Sequence, residues 1–330
     1  MEPLFIRDLT EKILQTPAAG ISPAEALDLA ATPPAFLMDL IAGAHRITTR
    51  FFPEKIFTCA ILNAKSGRCS QDCAFCAQSA HHQTGVSTYP LMSREKMTEA
   101  ALKMAAAGAT CFSMVTSGER LSDAEIQTIC AAAKDITSQT GLSVCGSLGL
   151  LTDDQARALK ESGLVRYHHN LETAESFFDR ICTTHTYGED LRTLEAAAAS
   201  GLMTCAGGII GLGESWAQRV ELAFTLKNLR VDRIPLNFLN PIPGTRLSGR
   251  PLLPALDAIK TIALFRFILP RTDITICGGR EITLKDFQSW IFPAGATGVM
   301  IGNYLTTRGR DLEADREMIA AWENFRKAFA

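Results

Sequence analysis

The strongest constraint on the fold is an alternation of short β-branched or apolar runs with longer amphipathic segments, which begins near residue 55. Eight runs are predicted strands, at 55–62, 111–116, 142–146, 166–170, 203–209, 233–239, 273–276 and 298–301. Strands that alternate with helices form a parallel sheet with right-handed crossovers. Because eight strands can close a barrel, we predict an α/β chain with a (β/α)8 TIM-type barrel, and an open doubly wound sheet is the alternative.

Helix start signals support this alternation. Ser122 to Glu125 and Thr152 to Gln155 have the capping-box pattern, in which the first and fourth residues satisfy each other's backbone N–H groups. The first fifty residues look helical, with a capping box from Ser22 to Glu25. We therefore expect an N-terminal helical extension over 1–50 and a barrel domain over 51–330. Helices are predicted at 94–107, 189–199, 216–228, 254–267, 284–290 and 311–326.

Charge and composition exclude several classes of function. The chain of 330 residues has 47% hydrophobic residues, 21% charged residues and a formal net charge of −2, with no basic run interleaved with aromatic residues. It has neither a cationic and apolar leader at its start nor an apolar run of ~20 residues. We therefore expect a cytoplasmic protein that binds no nucleic acid and no membrane.

Ten cysteines are many for such a chain, which is too long for a typical disulfide scaffold. Cys69, Cys73 and Cys76 follow the first predicted strand with the spacing C-x3-C-x2-C. Three thiolates can bind three irons of a [4Fe-4S] cluster and leave the fourth iron open to a substrate. The alternative is a zinc site completed by His81 or His82, although structural zinc usually uses paired C-x2-C spacings.

The triad spacing is typical of the radical S-adenosylmethionine superfamily. In that interpretation S-adenosylmethionine binds the open iron through its amino and carboxylate groups. An electron then breaks its carbon–sulfur bond and yields a 5′-deoxyadenosyl radical. Phe75, which precedes the third cysteine, is expected to place an apolar ring near the cluster and the adenine.

Between residues 55 and 307 the chain resembles the biotin synthase family. Five segments carry the resemblance: SGRCSQDCAFCAQSA, RYHHNLET, TCAGGIIGLGE, IPLNFLNPIPGTRL and CGGREI. The resemblance implies a sulfurtransferase that converts dethiobiotin to biotin through two hydrogen abstractions, with sulfur from an auxiliary iron–sulfur cluster. It also implies a flavodoxin or ferredoxin as reductant and a homodimer.

The auxiliary cluster of the family is a [2Fe-2S] cluster bound by three cysteines and an arginine on barrel strands. Cys145 and Cys205 match two of these cysteines. The third cysteine falls on Ser113, and the arginine falls on Thr275.

Two other cysteines lie near the unmatched positions. Cys111 is two residues before Ser113, and Cys277 is two residues after Thr275. Side chains on a strand alternate faces with a period of two, so each pair shares a face. We predict that Cys111, Cys145, Cys205 and Cys277 bind a larger, all-cysteine cluster. Cys59 is a fifth candidate. The alternative is that Cys111 and Cys277 are small buried apolar residues. Cys130 and Cys182 match no ligand position, and Cys130 is interpreted as a packing residue.

The resemblance also implies substrate contacts. Asn170 and Glu172 would bind the ribose hydroxyls of S-adenosylmethionine, and Asn170 would also reach the ureido ring of dethiobiotin. Glu172 stands where the family usually has aspartate. Asn237 would bind dethiobiotin, with backbone capping as the alternative role. His168 stands where the family commonly has asparagine, so it is either a substrate contact or a hydrogen-bonded core residue.

Two rival functions stay open at this point. One is another radical enzyme of the same subgroup, which acts in thiamine or hydrogenase-cofactor assembly. The other is a non-catalytic iron–sulfur carrier, which would need neither a barrel nor an open iron.

Overall fold

The computed structural model describes residues 3–17, 20–53 and 56–328. Lys55, the first residue of the first predicted strand, lies outside the described residues, and the strand itself begins at Phe57. The strands are β1 Phe57–Lys65, β2 Cys111–Thr116, β3 Ser143–Ser147, β4 Arg166–His168, β5 Met203–Cys205, β6 Gly208–Ile210, β7 Arg233–Phe238, β8 Asp273–Ile276 and β9 Gly298–Met300.

Twelve α-helices surround or precede these strands in the described part of the chain. They are α1 Pro3–Gln15, α2 Pro23–Ala30, α3 Leu37–Phe51, α4 Arg94–Ala106, α5 Asp123–Gln139, α6 Asp153–Glu161, α7 Glu175–Phe178, α8 Tyr187–Ala199, α9 Trp216–Asn228, α10 Ala255–Ile268, α11 Arg280–Leu284 and α12 Leu312–Ala328. Short 3-10 helices lie at Pro34–Phe36 and Lys285–Ile291. The capping boxes at Ser22, Ser122 and Thr152 are all present.

The sheet is parallel and closed. Its strand order is β5-β4-β3-β2-β1-β9-β8-β7-β6, and an additional pairing of β5 with β7 completes the ring. Segments β5 and β6 together occupy one position of the barrel, so the ring has eight positions. The predicted TIM-type barrel is therefore confirmed, and the open doubly wound sheet is wrong.

Close backbone approach explains why the predicted strand 203–209 is split. A Cβ at Gly207 would lie 2.0 Å from the carbonyl oxygen of Pro235 in β7. The chain therefore passes β7 more closely there than residues with side chains allow. After this break β6 pairs again with β7, with Ile209 opposite Asn237.

The predicted helix 284–290 differs for a local reason. Helix α11 ends at Leu284, and Lys285 has φ 47°, outside the helical region. The chain continues from there as a 3-10 helix, because the positive φ interrupts the α-helical hydrogen bonds.

The first three helices pack on the outside of the barrel. Helix α3 contacts α1 and α10, and α2 contacts α9 and α10. Their buried side chains, such as Ile6 and Leu40, belong to the same hydrophobic core as the barrel. Among the described residues no single helix is long and apolar enough to cross a membrane. The segments Pro23–Ala30 and Pro34–Phe51 reach that length and apolarity only when they are counted together, and they are bent by 106° at the break between them.

Candidate functional site

The cysteine triad lies in the loop that follows β1, at the carboxyl end of the barrel strands. Backbone hydrogen bonds fold this loop on itself: Cys69 N–H donates to Gln78 O (3.0 Å), and Cys76 N–H donates to Cys73 O (2.9 Å). The loop is also tied to the segment after α7, since Ala74 N–H donates to Ile181 O (2.8 Å). All three triad residues are half-buried, neither sealed in the core nor fully exposed.

Both histidines of the zinc alternative contact backbone oxygens: His81 Nε2 lies 2.9 Å from Ser70 O, and His82 Nδ1 lies 2.8 Å from Cys76 O. Among the described residues, no group of three Cys, His, Asp or Glu side chains is arranged around one metal ion. Burial raises the pKa of Cys76 to about 11, and the nearby charges of Cys69 and Glu172 contribute to the shift. A buried thiolate is costly without a cation beside it, and bound iron would supply that charge.

Phe75 packs into a small apolar cluster at the same end of the barrel. The cluster is formed by Ile181, Leu212 and Leu239, with Phe75 and Phe177 against it. Leu212 follows β6 and Leu239 follows β7, so Phe75 holds the triad loop against two strand ends. The contact of Phe75 with the adenine of S-adenosylmethionine stays a prediction.

The residues after β4 form a continuous hydrogen-bonded chain. His168 Nε2 donates to Asn170 Oδ1 (2.8 Å), and Asn170 Nδ2 donates to Glu172 Oε2 (3.2 Å). Burial lowers the pKa of His168 to about 4, so its ring is neutral near pH 7. Burial, together with the charge of Asp190, raises the pKa of Glu172 to about 8. A polar ligand could therefore replace the hydrogen bonds that these three side chains now make with one another.

Glycine at position 208 permits this arrangement. Ile209 N–H donates to the carbonyl oxygen of Glu172 (2.8 Å), and a Cβ at Gly208 would lie 2.4 Å from that oxygen. Glu172 itself has φ 60°, a left-handed conformation that is uncommon for a residue with a side chain. The backbone of β6 therefore holds Glu172 in a conformation that it would otherwise rarely adopt.

Asn237 bonds to backbone on both sides of its strand. Its Nδ2 donates to Gly208 O (3.3 Å), and its Oδ1 accepts from Gly278 N–H (2.9 Å). These are the contacts of the backbone-capping alternative. The amide still has a second N–H and a second lone pair, so capping and ligand binding are compatible.

Five cysteines line one cavity inside the barrel. Cys59, Cys111, Cys145, Cys205 and Cys277 all contribute to its walls, and Sγ of Cys111 lies 3.0 Å from Sγ of Cys145. Both unmatched positions, Ser113 and Thr275, also line this cavity. In contrast, Cys130 lies on α5 in the hydrophobic core, as predicted for a packing residue.

The cavity contains polar atoms without partners. The hydroxyls of Ser113 and Thr275 and the Nε atoms of Arg166 and Arg233 are buried and make no hydrogen bond. Burial raises the pKa of Cys205 to about 12, so this thiol is neutral unless a cation replaces its proton. Unpaired donors and buried thiols in one cavity fit a bound group that carries sulfide and iron.

Sequence reasoning missed both arginines. Arg166 lies opposite Cys145 in the sheet register, and its Nη1 lies 3.8 Å from Cys145 Sγ. Arg233 begins β7 opposite Cys205. An arginine within a predicted strand, where buried apolar residues are typical, was the available signal.

Cys182 was also missed. Its Sγ lies 3.8 Å from Sγ of Cys73 and 3.1 Å from His185 Nδ1. His185 and His169 in turn contact the buried carboxylate of Asp190, at 3.4 Å and 2.7 Å. Cys182, His185, His169 and Asp190 thus form a connected group that packs against the triad loop at Cys73. They come from segments far from the loop in sequence, so no local pattern predicts this contact.

Comparison with known proteins supports the same interpretation. The model of the radical SAM superfamily matches residues 64–226, and that of the biotin and thiamin synthesis associated domain matches residues 235–324. A biotin synthase from Syntrophus aciditrophicus is 56% identical over 311 residues, which cover 94% of this chain and 96% of the relative. The chain belongs to the biotin synthase family. A biotin synthase from Citrifermentans bemidjiense is 48% identical over 316 residues, 96% of each chain.

Solved structures support the fold of this biotin synthase family member. Methylornithine synthase superposes with a TM-score of 0.81 at 16% identity and covers 97% of this chain and 99% of its own. The [FeFe]-hydrogenase maturase from Carboxydothermus hydrogenoformans has a TM-score of 0.79 at 17% identity, over 97% of this chain and 82% of its own. These structures show the TIM-type barrel, while the family model and the biotin synthase relatives show that the chain is an enzyme of the radical SAM superfamily.

Proposed function

We propose that the chain inserts sulfur into dethiobiotin to form biotin, and that its two cysteine groups divide the work. Cys69, Cys73 and Cys76 would hold a [4Fe-4S] cluster at the barrel mouth. When bound, this cluster and S-adenosylmethionine supply the 5′-deoxyadenosyl radical that abstracts hydrogen from the substrate. The observation that carries the proposal is the five-cysteine cavity inside the barrel, with the triad loop at the carboxyl end of the same strands.

Asn170 and Glu172 would bind the ribose of S-adenosylmethionine. A carboxylate and an amide oxygen accept hydrogen bonds from two neighbouring hydroxyls, and the two side chains already contact each other (3.2 Å). Because the pKa of Glu172 is about 8, its carboxyl is largely protonated at neutral pH before the ligand binds. Hydroxyl donors would favour its ionised form. His168 would orient Asn170 through its hydrogen bond (2.8 Å).

Asn237 would orient dethiobiotin. A ureido ring presents both N–H donors and a carbonyl acceptor, so it requires a partner that can do both. The two backbone bonds of Asn237 lock its amide in one orientation and leave one donor and one acceptor free. Asn170 would add a second contact to the same ring.

Cys111, Cys145, Cys205 and Cys277 would bind the auxiliary cluster that donates sulfur, with Cys59 as a fifth candidate. Four thiolates would give an all-cysteine site, larger than the two-iron cluster typical of the family. The unpaired hydroxyls of Ser113 and Thr275 would face this group. The barrel walls would exclude water from the reacting carbon centres.

We further propose a flavodoxin or ferredoxin as electron donor, a homodimeric assembly and a cytoplasmic location. These proposals follow from family membership. Size measurement in solution and pull-down with each reduced carrier test the first two directly.

The decisive experiment measures products of anaerobically reconstituted, reduced protein with S-adenosylmethionine, with and without dethiobiotin. We expect biotin, and 5′-deoxyadenosine only when dethiobiotin is present. Release of 5′-deoxyadenosine without dethiobiotin, and with no biotin formed, would favour another enzyme of the same subgroup. A complete absence of 5′-deoxyadenosine would favour an iron–sulfur carrier.

A further inference from the structure

A second cavity lies at the end of the barrel opposite the triad loop. It has a volume of about 390 Å³, and its lining includes Phe57, Arg233 and Asp273. These residues begin β1, β7 and β8, which places the cavity at the amino ends of the strands. We call it the lower pocket. Helix α3 contributes Thr48 and Thr49 to its wall, and helix α12 lines the other side.

Arg233 separates the lower pocket from the cysteine cavity, because its side chain lines both. The carbon at the centre of its guanidinium lies 3.3 Å from the centroid of the Phe57 ring. Its Nη2 donates to Asp273 Oδ2 (3.1 Å), while its Nε is buried and has no partner. One bulky, charged side chain is thus held by a ring and a carboxylate between the two cavities.

Side-chain exposure decreases from the lower pocket towards the cysteine cavity. The side chain of Asp273 is 33% exposed and that of Arg233 is 9% exposed. Cys277 lies beyond them with 2% exposure. Water therefore reaches the outer face of the ion pair, and the cysteines lie directly behind it.

The charges indicate which ligand would use this passage. Arg233 lines the same cavity as Cys205 and Cys277, and β7 places it directly opposite Cys205 in the sheet register, so the guanidinium lies close to the thiols. A guanidinium with an unpaired N–H attracts a small anion. The lining combines the rings of Phe57 and Phe292 with polar groups that include Arg326, so an anion entering the pocket meets a second guanidinium.

We propose that the lower pocket is the access route by which hydrosulfide reaches the auxiliary site, with the Arg233–Asp273 ion pair as its gate. The inference rests on the proposed auxiliary site. If that site loses a sulfide in each turnover, sulfide has to return, and the carboxyl end of the barrel is where S-adenosylmethionine and dethiobiotin would bind. The lower pocket offers an approach that does not cross the substrate site.

The test uses the full chain with Cys69, Cys73 and Cys76 replaced by alanine, so that bound sulfide belongs to the auxiliary site. After anaerobic reconstitution the protein is incubated with radiolabelled hydrosulfide, desalted at intervals and assayed for bound label and iron. Thr49→Trp places a large ring in the lower pocket, and Thr137→Trp on α5 is the matched control on an exposed helical surface. We expect label uptake to slow at least several-fold in Thr49→Trp and to stay unchanged in the control.

Asp273→Asn tests the gate in the opposite direction. It removes the negative charge that pairs with Arg233 and repels an anion, so we expect uptake to become several-fold faster. Equal uptake rates in Thr49→Trp, Asp273→Asn and Thr137→Trp would overturn the access route while the auxiliary site stands. If Thr49→Trp does not fold, an unchanged uptake rate in Asp273→Asn is sufficient by itself to overturn the access route. A protein that binds neither iron nor label would refute the auxiliary site, and the access route with it.

Discussion

The Sγ atoms of Cys111 and Cys145 lie 3.0 Å apart across neighbouring strands β2 and β3. In the sheet register, however, Cys145 is opposite Ser113, and Cys111 is opposite Ser143. The two thiols thus approach diagonally into the interior of the barrel, as ligands that share a bound group would. This contact is the structural support for including Cys111 in the proposed auxiliary site.

Removal of Cys111 or Cys277 tests the all-cysteine site. With Cys69, Cys73 and Cys76 already replaced by alanine, we expect Cys111→Ser or Cys277→Ser to lose at least half of the remaining iron and sulfide, because a serine hydroxyl is a poor ligand for soft iron–sulfur sites. Chemical analysis after anaerobic reconstitution measures both. Cys130→Ser, a buried cysteine on α5, is the control and should keep them. Full retention of iron in both variants would leave Cys111 and Cys277 as packing residues.

Glu172 should make the stability of the metal-free protein depend on pH. Its pKa is raised from 4.5 to about 8, so its contribution to stability is complete below pH 4.5 and is lost as pH rises through 8. Between pH 6 and 7.5 we expect the free energy of unfolding of the unmodified protein to fall relative to Glu172→Gln by about 1.4 kcal/mol per pH unit. Denaturant titrations at several pH values measure this difference. Glu175→Gln, at an exposed position, should follow the unmodified protein, and parallel curves for all three proteins would contradict the assignment.

Gly208 should tolerate no side chain. A Cβ there would lie 2.4 Å from the carbonyl oxygen of Glu172, so the backbone after β4 has to move. We expect Gly208→Ala to lower the free energy of unfolding by about 2 kcal/mol, within the range for overpacked sites, and to weaken binding of S-adenosylmethionine. Thermal unfolding and equilibrium dialysis measure these effects. Gly249→Ala is the matched control, because its Cβ would meet no atom within 4 Å.

Asp190 should stabilise the segment behind the triad loop. Burial alone would lower the pKa of His185, but its contacts with Asp190 and Cys182 raise it to about 10. This stabilisation is complete below pH 6.5 and is lost as pH rises through 10. We expect Asp190→Asn to lower the free energy of unfolding at pH 7 by about 2 kcal/mol, typical of lost hydrogen bonds to a charged group.

The difference between Asp190→Asn and the unmodified protein should shrink above pH 10, where His185 is neutral in both. Chemical denaturation at pH 7 and pH 10.5 measures it. Asp179→Asn, at an exposed position on the neighbouring segment, is the control. An Asp190→Asn variant as stable as this control at pH 7 would contradict the role of the carboxylate.

Much of the fold could be predicted because local sequence patterns determine it. Both ends of strand β2 were predicted correctly, since a continuous run of buried residues between turn signals defines the length of a strand. The capping boxes at Ser122 and Thr152 located the starts of α5 and α6, because each is completed within four residues. The break at Gly207 was not predicted, because it depends on how closely β7 passes.

By itself the sequence determined the chemistry of the triad loop and the number of barrel strands. The spacing of Cys69, Cys73 and Cys76 places three thiols on one short loop whatever surrounds it, and a period of two decides which residues of a strand share a face. Only the tertiary structure decided which strands are neighbours and how deep each residue lies. Barrel closure brings Cys277, after β8, into one cavity with Cys59 and Arg166, and the packing of the loop against distant segments brings Cys182 to Cys73. Such contacts depend on strand register and barrel closure, which involve segments far apart in the chain. A local periodicity in the sequence carries no information about them.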